Sequence, residues 1–289
     1  MVSEEYKAYQ PLSKDPISIV VSIDLGKSMN KIIYSVTTSP TKKLLLMEPE
    51  VAHLSETQLE NLKRANCHPI DDAWCQFSDE SGMAFGLAAQ KQSLRLQLQS
   101  KKNELKYKIG AKRCFAIICA IIQAENLGRE CSVSNDSYRA RMLNNVYTGV
   151  KVALEVLLPL SEYSSHQEVL RKDLESLTRG KFFFRGIKYG IEFDPLNIKP
   201  EGAGQLMIRQ TTQPPFKEQN LLCLIMGHYN VTGILYHRGQ FVRSNCPSIG
   251  FHQVVEFISN ATCLDSTNIS EARLGEAIYL GQRKPKLMK

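Results

Sequence analysis

The sequence predicts an α/β protein built in two halves, and three observations carry that expectation. Apolar, β-branched runs closed by small polar turns alternate with segments of helical apolar spacing along the chain. Two segments about 200 residues apart, SIVVSIDLGKSMNKIIYSV and NLLCLIMGHYNVTGILYHRG, share one order of apolar strand, small-residue turn and second strand. The 289 residues suffice for one large domain or two modest ones.

Residues 1–16 are polar, end in Lys14-Asp15-Pro16 and read as a flexible leader. Ile17–Ile23 is a β-branched run and reads as a buried strand. Asp24-Leu25-Gly26-Lys27-Ser28 supplies its turn, Lys31–Thr37 alternates as a second strand, and Lys43–Met47 makes a third, so the fold opens on a meander. Ser55 caps a short helix over Ser55–Arg64. Trp74–Phe77 and Met83–Phe85 form a hairpin around Asp79-Glu80-Ser81-Gly82.

Leu87–Gln123 reads as one long helix, basic at first and then apolar over Cys114–Ile122, which marks a core segment. Val146–Leu158 is a further apolar run stopped by Pro159. His166–Leu177 sets Val169, Leu170, Leu174 and Leu177 at helical spacing. Lys181–Phe184 and Ile187–Phe193 make a second hairpin about Arg185-Gly186. Gly202 and Gly204 lead into a Thr/Gln/Pro loop at Thr211–Pro215. The strands Leu221–Met226 and Gly233–His237 follow, then a last helix at Phe251–Ala261.

Composition narrows the class. Hydrophobic residues make up 43% and charged residues 22%, which excludes disordered, collagen-like and coiled-coil chains. The longest apolar run, Cys114–Ile122, is too short to cross a bilayer, which needs about 20 residues. No N-terminal run has the order of a signal peptide, so the expected location is the cytoplasm. The net charge of +7 is uneven: residues 1–90 carry −4, Lys91–Arg113 carries +7 and Gln282–Lys289 carries +4. A basic strip and a basic tail can meet nucleic acid, an anionic membrane or an acidic partner; equally, they can be a solvated helix face and a frayed end. The eight cysteines form no C-x-x-C pair, and Cys114, Cys119 and Cys223 lie in apolar runs, as buried reduced thiols do. Cys67, His68 and Cys75 lack a second Cys/His pair to complete a tetrahedral metal set.

Chemistry concentrates at the first turn. Asp24 ends a strand, Gly26 lets backbone N–H groups approach an anion, and Lys27 and Ser28 can donate to phosphate oxygens. Asp24 can hold Mg²⁺ through water. Asp24-Leu25-Gly26-Lys27-Ser28 on a hairpin resembles the first phosphate loop of the actin/Hsp70/sugar-kinase superfamily. Residues 221–239 resemble its second phosphate loop, and Phe251–Ile258 the helix after it. Ala73–Leu87, Val152–Glu162 and Phe182–Gly204 bring the chain nearest to ParM-like, bacterial actin-like plasmid-segregation proteins, over about residues 17–260.

The resemblance implies an actin-like, RNase H-like fold of two lobes with a shortened second lobe. The first lobe would span 17–160 and the second 161–281, with the basic tail at 282–289. It implies ATP or GTP with Mg²⁺ as cofactors, Asp24 at the metal, Gly26, Lys27 and Ser28 on phosphates, and Glu201 as the base that orients the attacking water. Two departures stand out. The family's second loop carries an aspartate before its glycines, whereas Leu224-Ile225-Met226 precedes Gly227 here, leaving Gly227, Asn230 and Thr232 to cradle phosphate. The chain also ends about 50 residues after that loop, so the adenosine-binding part is expected to be reduced. Slow hydrolysis, or binding without turnover, is the consequence.

The implied function is a filament made of copies of this chain, working in DNA segregation through a DNA-binding adaptor. A nucleotide-independent scaffold in cell shape and a small-molecule kinase are the alternatives. The kinase would need the missing aspartate.

Overall fold

The computed structural model describes residues 18–26, 29–64, 67–77, 82–92, 95–96, 107–127, 148–179, 182–212, 218–227, 230–247 and 249–261. The leader 1–16, Lys27, Ser28, Asp79-Glu80-Ser81, residues 93–94 and 97–106 of the basic strip, and the tail 282–289 lie outside the described residues.

The opening meander forms as its alternation dictates. β1 (Ile19–Leu25) turns Ile19, Val21, Ile23 and Leu25 inward and Val20, Ser22 and Asp24 to the other face. β2 (Asn30–Val36) pairs antiparallel with β1, and β3 (Ser39–Met47) with β2. β8 (Thr148–Leu158) lies parallel to β1 on its other side, and β10 (Ile187–Pro200) parallel to β8. A second group of strands extends this sheet: β4 (Val51–His53), then, after the helix α1 (Glu56–Arg64), β5 (Ala73–Phe77), β6 (Met83–Phe85), β7 (Arg95–Leu96) and β9 (Phe182–Phe184). The ten strands run in the order β3-β2-β1-β8-β10-β9-β5-β6-β4-β7.

Helices cover the inward face. In α3 (Tyr107–Ala124), every residue from Cys114 to Ile122 is buried, because the segment is apolar all round. Its outer side is closed by α4 (Leu160–Arg179), which buries only Leu170 and Leu174 among its apolar positions and is otherwise amphipathic. Phe115 meets Phe182 and Phe193 edge-on, with ring centroids 5.4 and 5.5 Å apart. A separate three-stranded antiparallel sheet follows, of β11 (Leu221–Met226), β12 (Val231–His237) and β13 (Gln240–Asn245). The helices α5 (Ala203–Thr212) and α6 (Phe251–Ala261) flank it in sequence.

Two expectations change. The long helix over Leu87–Gln123 is not one element: α2 (Leu87–Gln90) stops early, Arg95–Leu96 pairs as β7 with β4, and α3 begins only at Tyr107. The leucines at 94, 96 and 98 are spaced at the period of a strand rather than a helix, and the edge of β4 offers Arg95–Leu96 backbone partners. The basic strip is therefore not one helix face. Secondly, the segment after Gly202 is helical to Thr212, where a loop was expected from Thr211; the helix is started by the Leu206 N–H donating to the Gly202 carbonyl at 3.2 Å. The strands β9 and β10 hydrogen-bond into the first sheet, so the described strands group as ten up to Pro200 and three after it.

Candidate functional site

The first hairpin is closed by the pair Leu25↔Asn30, leaving residues 26–29 as its loop. The Gly26 N–H donates back to the Asp24 carbonyl at 3.0 Å. A Cβ built on Gly26 would stand 1.9 Å from the Met29 carbonyl oxygen, so the loop closes this tightly only around glycine. Asp24 lies on the face opposite the core helices, with Lys31 across the ladder at 3.9 Å. On the core side the loop is held by Arg113 of α3. Its Nη2 donates to the Gly26 carbonyl at 2.9 Å and to Asn30 Oδ1, while Asn30 Nδ2 donates to the Glu48 carbonyl at 3.0 Å. Burial lowers the Arg113 pKa to about 10, and nearby charges including Asp24 and Glu50 oppose that drop.

The second hairpin repeats the plan. Its last pair is Met226↔Val231, so residues 227–230 form a loop of the same length, again opening on glycine. The Gly227 N–H donates to the Asn230 carbonyl at 2.7 Å, and a Cβ on Gly227 would meet Asn230 Oδ1 at 2.5 Å. The Phe251 N–H, at the start of α6, donates to the Gly227 carbonyl at 3.1 Å and brings that helix N-terminus to the loop. Counting back from the glycines, Ile225 occupies the place of Asp24. Asn230 Nδ2 lies 3.2 Å and Thr232 Oγ1 3.1 Å from Cys246 Sγ, and Thr232 is buried.

Glu201 sits in the turn that ends β10. Its N–H donates to the Leu158 carbonyl at 2.7 Å. Gly202 follows with φ +87°, and a Cβ there would come within 2.4 Å of Ile225 Cδ1. The Glu201 turn thus lies against the second hairpin. It also shares one end of the parallel strands with the first: Asp24 pairs with Leu157, and Leu157 with Lys199. Two strand spacings, about 10 Å, separate Asp24 from Lys199. The carboxyl ends of parallel strands are where open α/β sheets take ligands.

Of the residues singled out in the sequence, Asp24, Gly26 and Glu201 gather at this end of the first sheet. Gly227, Asn230 and Thr232 belong to the second hairpin beside Glu201. Lys27 and Ser28 lie outside the described residues. Arg113, Asn30 and Cys246 were not anticipated. The available signal for Arg113 was an arginine directly abutting the apolar run from Cys114. Among the described residues no group of three or more His, Cys, Asp or Glu side chains could hold a metal ion unaided. Asp24 is a carboxylate of the kind Mg²⁺ takes when its other ligands are water and phosphate, and the glycine-tight loops suit an anion approaching backbone.

No family model matches the chain, and no curated protein matches it. Solved structures do. An archaeal actin homolog superposes with a TM-score of 0.56 at 14% identity, covering 90% of this chain and 71% of its own. Bacillus thuringiensis ParM with ATP gives 0.54 at 11% identity, over 94% of this chain and 75% of its own. The filament structure of AlfA from a B. subtilis plasmid gives 0.51 at 9% identity, over 92% and 90%. At such identities the likeness speaks for architecture: the chain has an α/β, ParM-like actin-like fold.

Proposed function

We propose that this chain binds a nucleoside triphosphate with Mg²⁺ at its two glycine hairpins and assembles into filaments of its own copies in the cytoplasm. The observation that carries the reading is the duplication: two loops of equal length, each opening on a glycine that a Cβ would displace. Structural neighbours that contain ATP or form filaments support it.

In this reading Gly26, Lys27 and Ser28 bind phosphates at the first hairpin, and Asp24 holds Mg²⁺, which neutralises phosphate charge when bound. Thr232 and the Asn230 amide already face Cys246. The Gly227 N–H likewise donates to the Asn230 carbonyl, so cradling phosphate at the second hairpin would ask Gly227, Asn230 and Thr232 to exchange these partners for it. Glu201 orients the attacking water. The cargo is DNA, joined through a DNA-binding adaptor, and the filament is the open, head-to-tail kind that heterologous contacts give.

The second reading is a nucleotide-independent scaffold, and Ile225 in the place of Asp24 is the observation that favours it. The same residue counts against a small-molecule kinase, which needs an acid there. Light scattering and negative-stain microscopy with ATP, GTP, ADP and no nucleotide separate these. Nucleotide-dependent filaments that Asp24→Ala abolishes support the first reading. Filaments indifferent to nucleotide and to Asp24→Ala support the scaffold, and ATP consumption by a monomer only with an added metabolite supports the kinase.

A further inference from the structure

An unpaired strand edge is a template for another strand unless something blunts it. The described sheets end in β3 and β7, and in β11 and β13. β3 carries Pro40, Lys42 and Lys43, and its pairing with β2 shifts register between Tyr34 and Val36. β7 is short and includes Arg95. β13 carries Arg243, and its pairing with β12 shifts between Leu235 and Tyr236. β11 has none of these guards. It reads LLCLIM, without charge, proline or register shift, and among the described strands it pairs with β12 alone.

What β11 exposes is apolar as well. Leu222, Leu224 and Met226 share one face and are 60%, 64% and 72% exposed. Their ladder partners Leu235, Gly233 and Val231 continue that face and are only half-buried. The opposite face is covered, since Thr232 and Ile234 are buried there and Ile225 lies against Gly202. A bare apolar face beside a free edge marks a surface that another chain covers.

Charge and register select a second copy of this chain as the occupant. An uncharged strand meets its own copy with no like charges opposed. A two-fold axis normal to the sheet keeps both bare faces on one side. One register then matches all three exposed side chains: Leu224 opposite its own equivalent, and Leu222 opposite Met226 of the second copy. Six residues span about 20 Å and a sheet is about 10 Å thick, so each copy buries on the order of a few hundred Å². That is below the roughly 800 Å² per partner of a stable complex. The pair is therefore weak alone and gains strength where copies are already arrayed.

We propose that the free edge of β11 pairs antiparallel with β11 of a second copy, joining two three-stranded sheets into one. The contact closes on itself, so it is separate from the head-to-tail contact of the filament reading and needs no nucleotide.

Mild oxidation of the full chain without nucleotide, for the parent, Leu224→Cys and Leu222→Cys, followed by peptide mapping, tests it. Opposed Cα atoms in an antiparallel ladder lie about 4.5–5.5 Å apart, within disulfide reach, whereas the two Leu222 positions would stand about 14 Å apart. Leu224→Cys should therefore link to its own equivalent at least about tenfold faster than Leu222→Cys does. Sedimentation equilibrium of Leu224→Lys reads the same contact. Two opposed ammonium groups should weaken association at least about tenfold at an unchanged melting temperature, because the side chain is exposed. Should Leu224→Lys fail to fold, the cysteine pair carries the comparison. Equal linking at both positions, or association unchanged in Leu224→Lys, overturns the proposal. So does a parent that stays monomeric while Leu224→Cys remains unlinked. An intrachain link from Leu224→Cys to Cys263 gives the edge to the chain's own last segment and likewise overturns it. Each of these failures leaves the nucleotide reading standing.

Discussion

Gly26→Ala tests the tightness of the first hairpin. The added methyl would lie 1.9 Å from the Met29 carbonyl oxygen, whereas ordinary contact begins near 3.4 Å, so about 1.5 Å must be found. No rotamer can supply it, because the obstacle is backbone at the far end of the same loop. Both ends are also fixed, by the Leu25↔Asn30 pair and by Arg113 on the Gly26 carbonyl. Forcing such a contact costs about 1–3 kcal/mol. At about 2–4 °C per kcal/mol, the melting temperature should fall by about 2–12 °C. Gly204→Ala is the internal control: it lies in α5 with nothing within 4 Å of a built Cβ. Alanine there should stabilise the chain by about 0.5–1 kcal/mol. Thermal and urea melts followed by circular dichroism read both signs. A Gly26→Ala chain that melts with or above the parent, while Gly204→Ala melts below it, would refute the reasoning.

Three further outcomes are expected. Glu201→Gln keeps the backbone bond to Leu158 and should leave nucleotide-dependent assembly intact while slowing phosphate release about a hundredfold or more; an unchanged rate of release removes Glu201 from the chemistry. In native protein at neutral pH a thiol reagent should modify Cys67, which is exposed, well before Cys75, Cys114 and Cys119; burial pushes the Cys114 thiol up to about 12 and the other two well above their ordinary range, and unfolding should release them together. Glu125 has its carboxyl held below the ordinary range by the hydrogen bond from Lys43, with Tyr34 adding to it. A depressed pKa gives stability above the unfolded value that is lost as pH falls through the folded one. Glu125→Gln should therefore cost at most about 1 kcal/mol at pH 7, because its partner Lys43 remains 40% exposed and solvent screens the pair. Urea melts should show that difference fading below about pH 4.3.

Much of this architecture was legible because its signals are local. The alternation in Ile19–Leu25, the all-apolar Cys114–Ile122 and the spacing of Leu170 and Leu174 each report their own burial. What was not legible depends on pairing across the chain. The alternating leucines at 94, 96 and 98 did carry a period of two, which the long-helix reading passed over, but that Arg95–Leu96 pairs with β4, itself paired with β6, is set by partners distant in the chain. For a similar reason β10 runs past Phe193 to Pro200: β8 offers a parallel partner on both sides of the register shift between Phe193 and Leu196. At the site, Asp24, Gly26 and Gly227 were visible as residue types at turns. Arg113 was not, since a lysine-rich strip reads as solvated until one member is placed under a loop 87 residues away in sequence.

The two hairpins share a backbone plan but differ in charge, and that difference bears on what a bound nucleotide would undergo. The first has Asp24 on one side, Lys31 across the ladder and Arg113 behind. The second has Ile225 where Asp24 would stand, with the N-terminus of α6 at its carbonyl. A helix N-terminus attracts an anion, and with Ile225 in the strand this hairpin adds no carboxylate of its own to the Glu201 beside it. Holding a phosphate there is therefore favoured. Cleaving one is not, because in-line attack needs acids to place the metal and the water, and in this reading Asp24 at the end of β1 and Glu201 after β10 share both tasks. On the nucleotide reading, loss of the second acid uncouples occupancy from turnover. Assembly would then be governed by whether nucleotide is bound and only weakly by its hydrolysis, a relation that phosphate release measured against filament lifetime would expose.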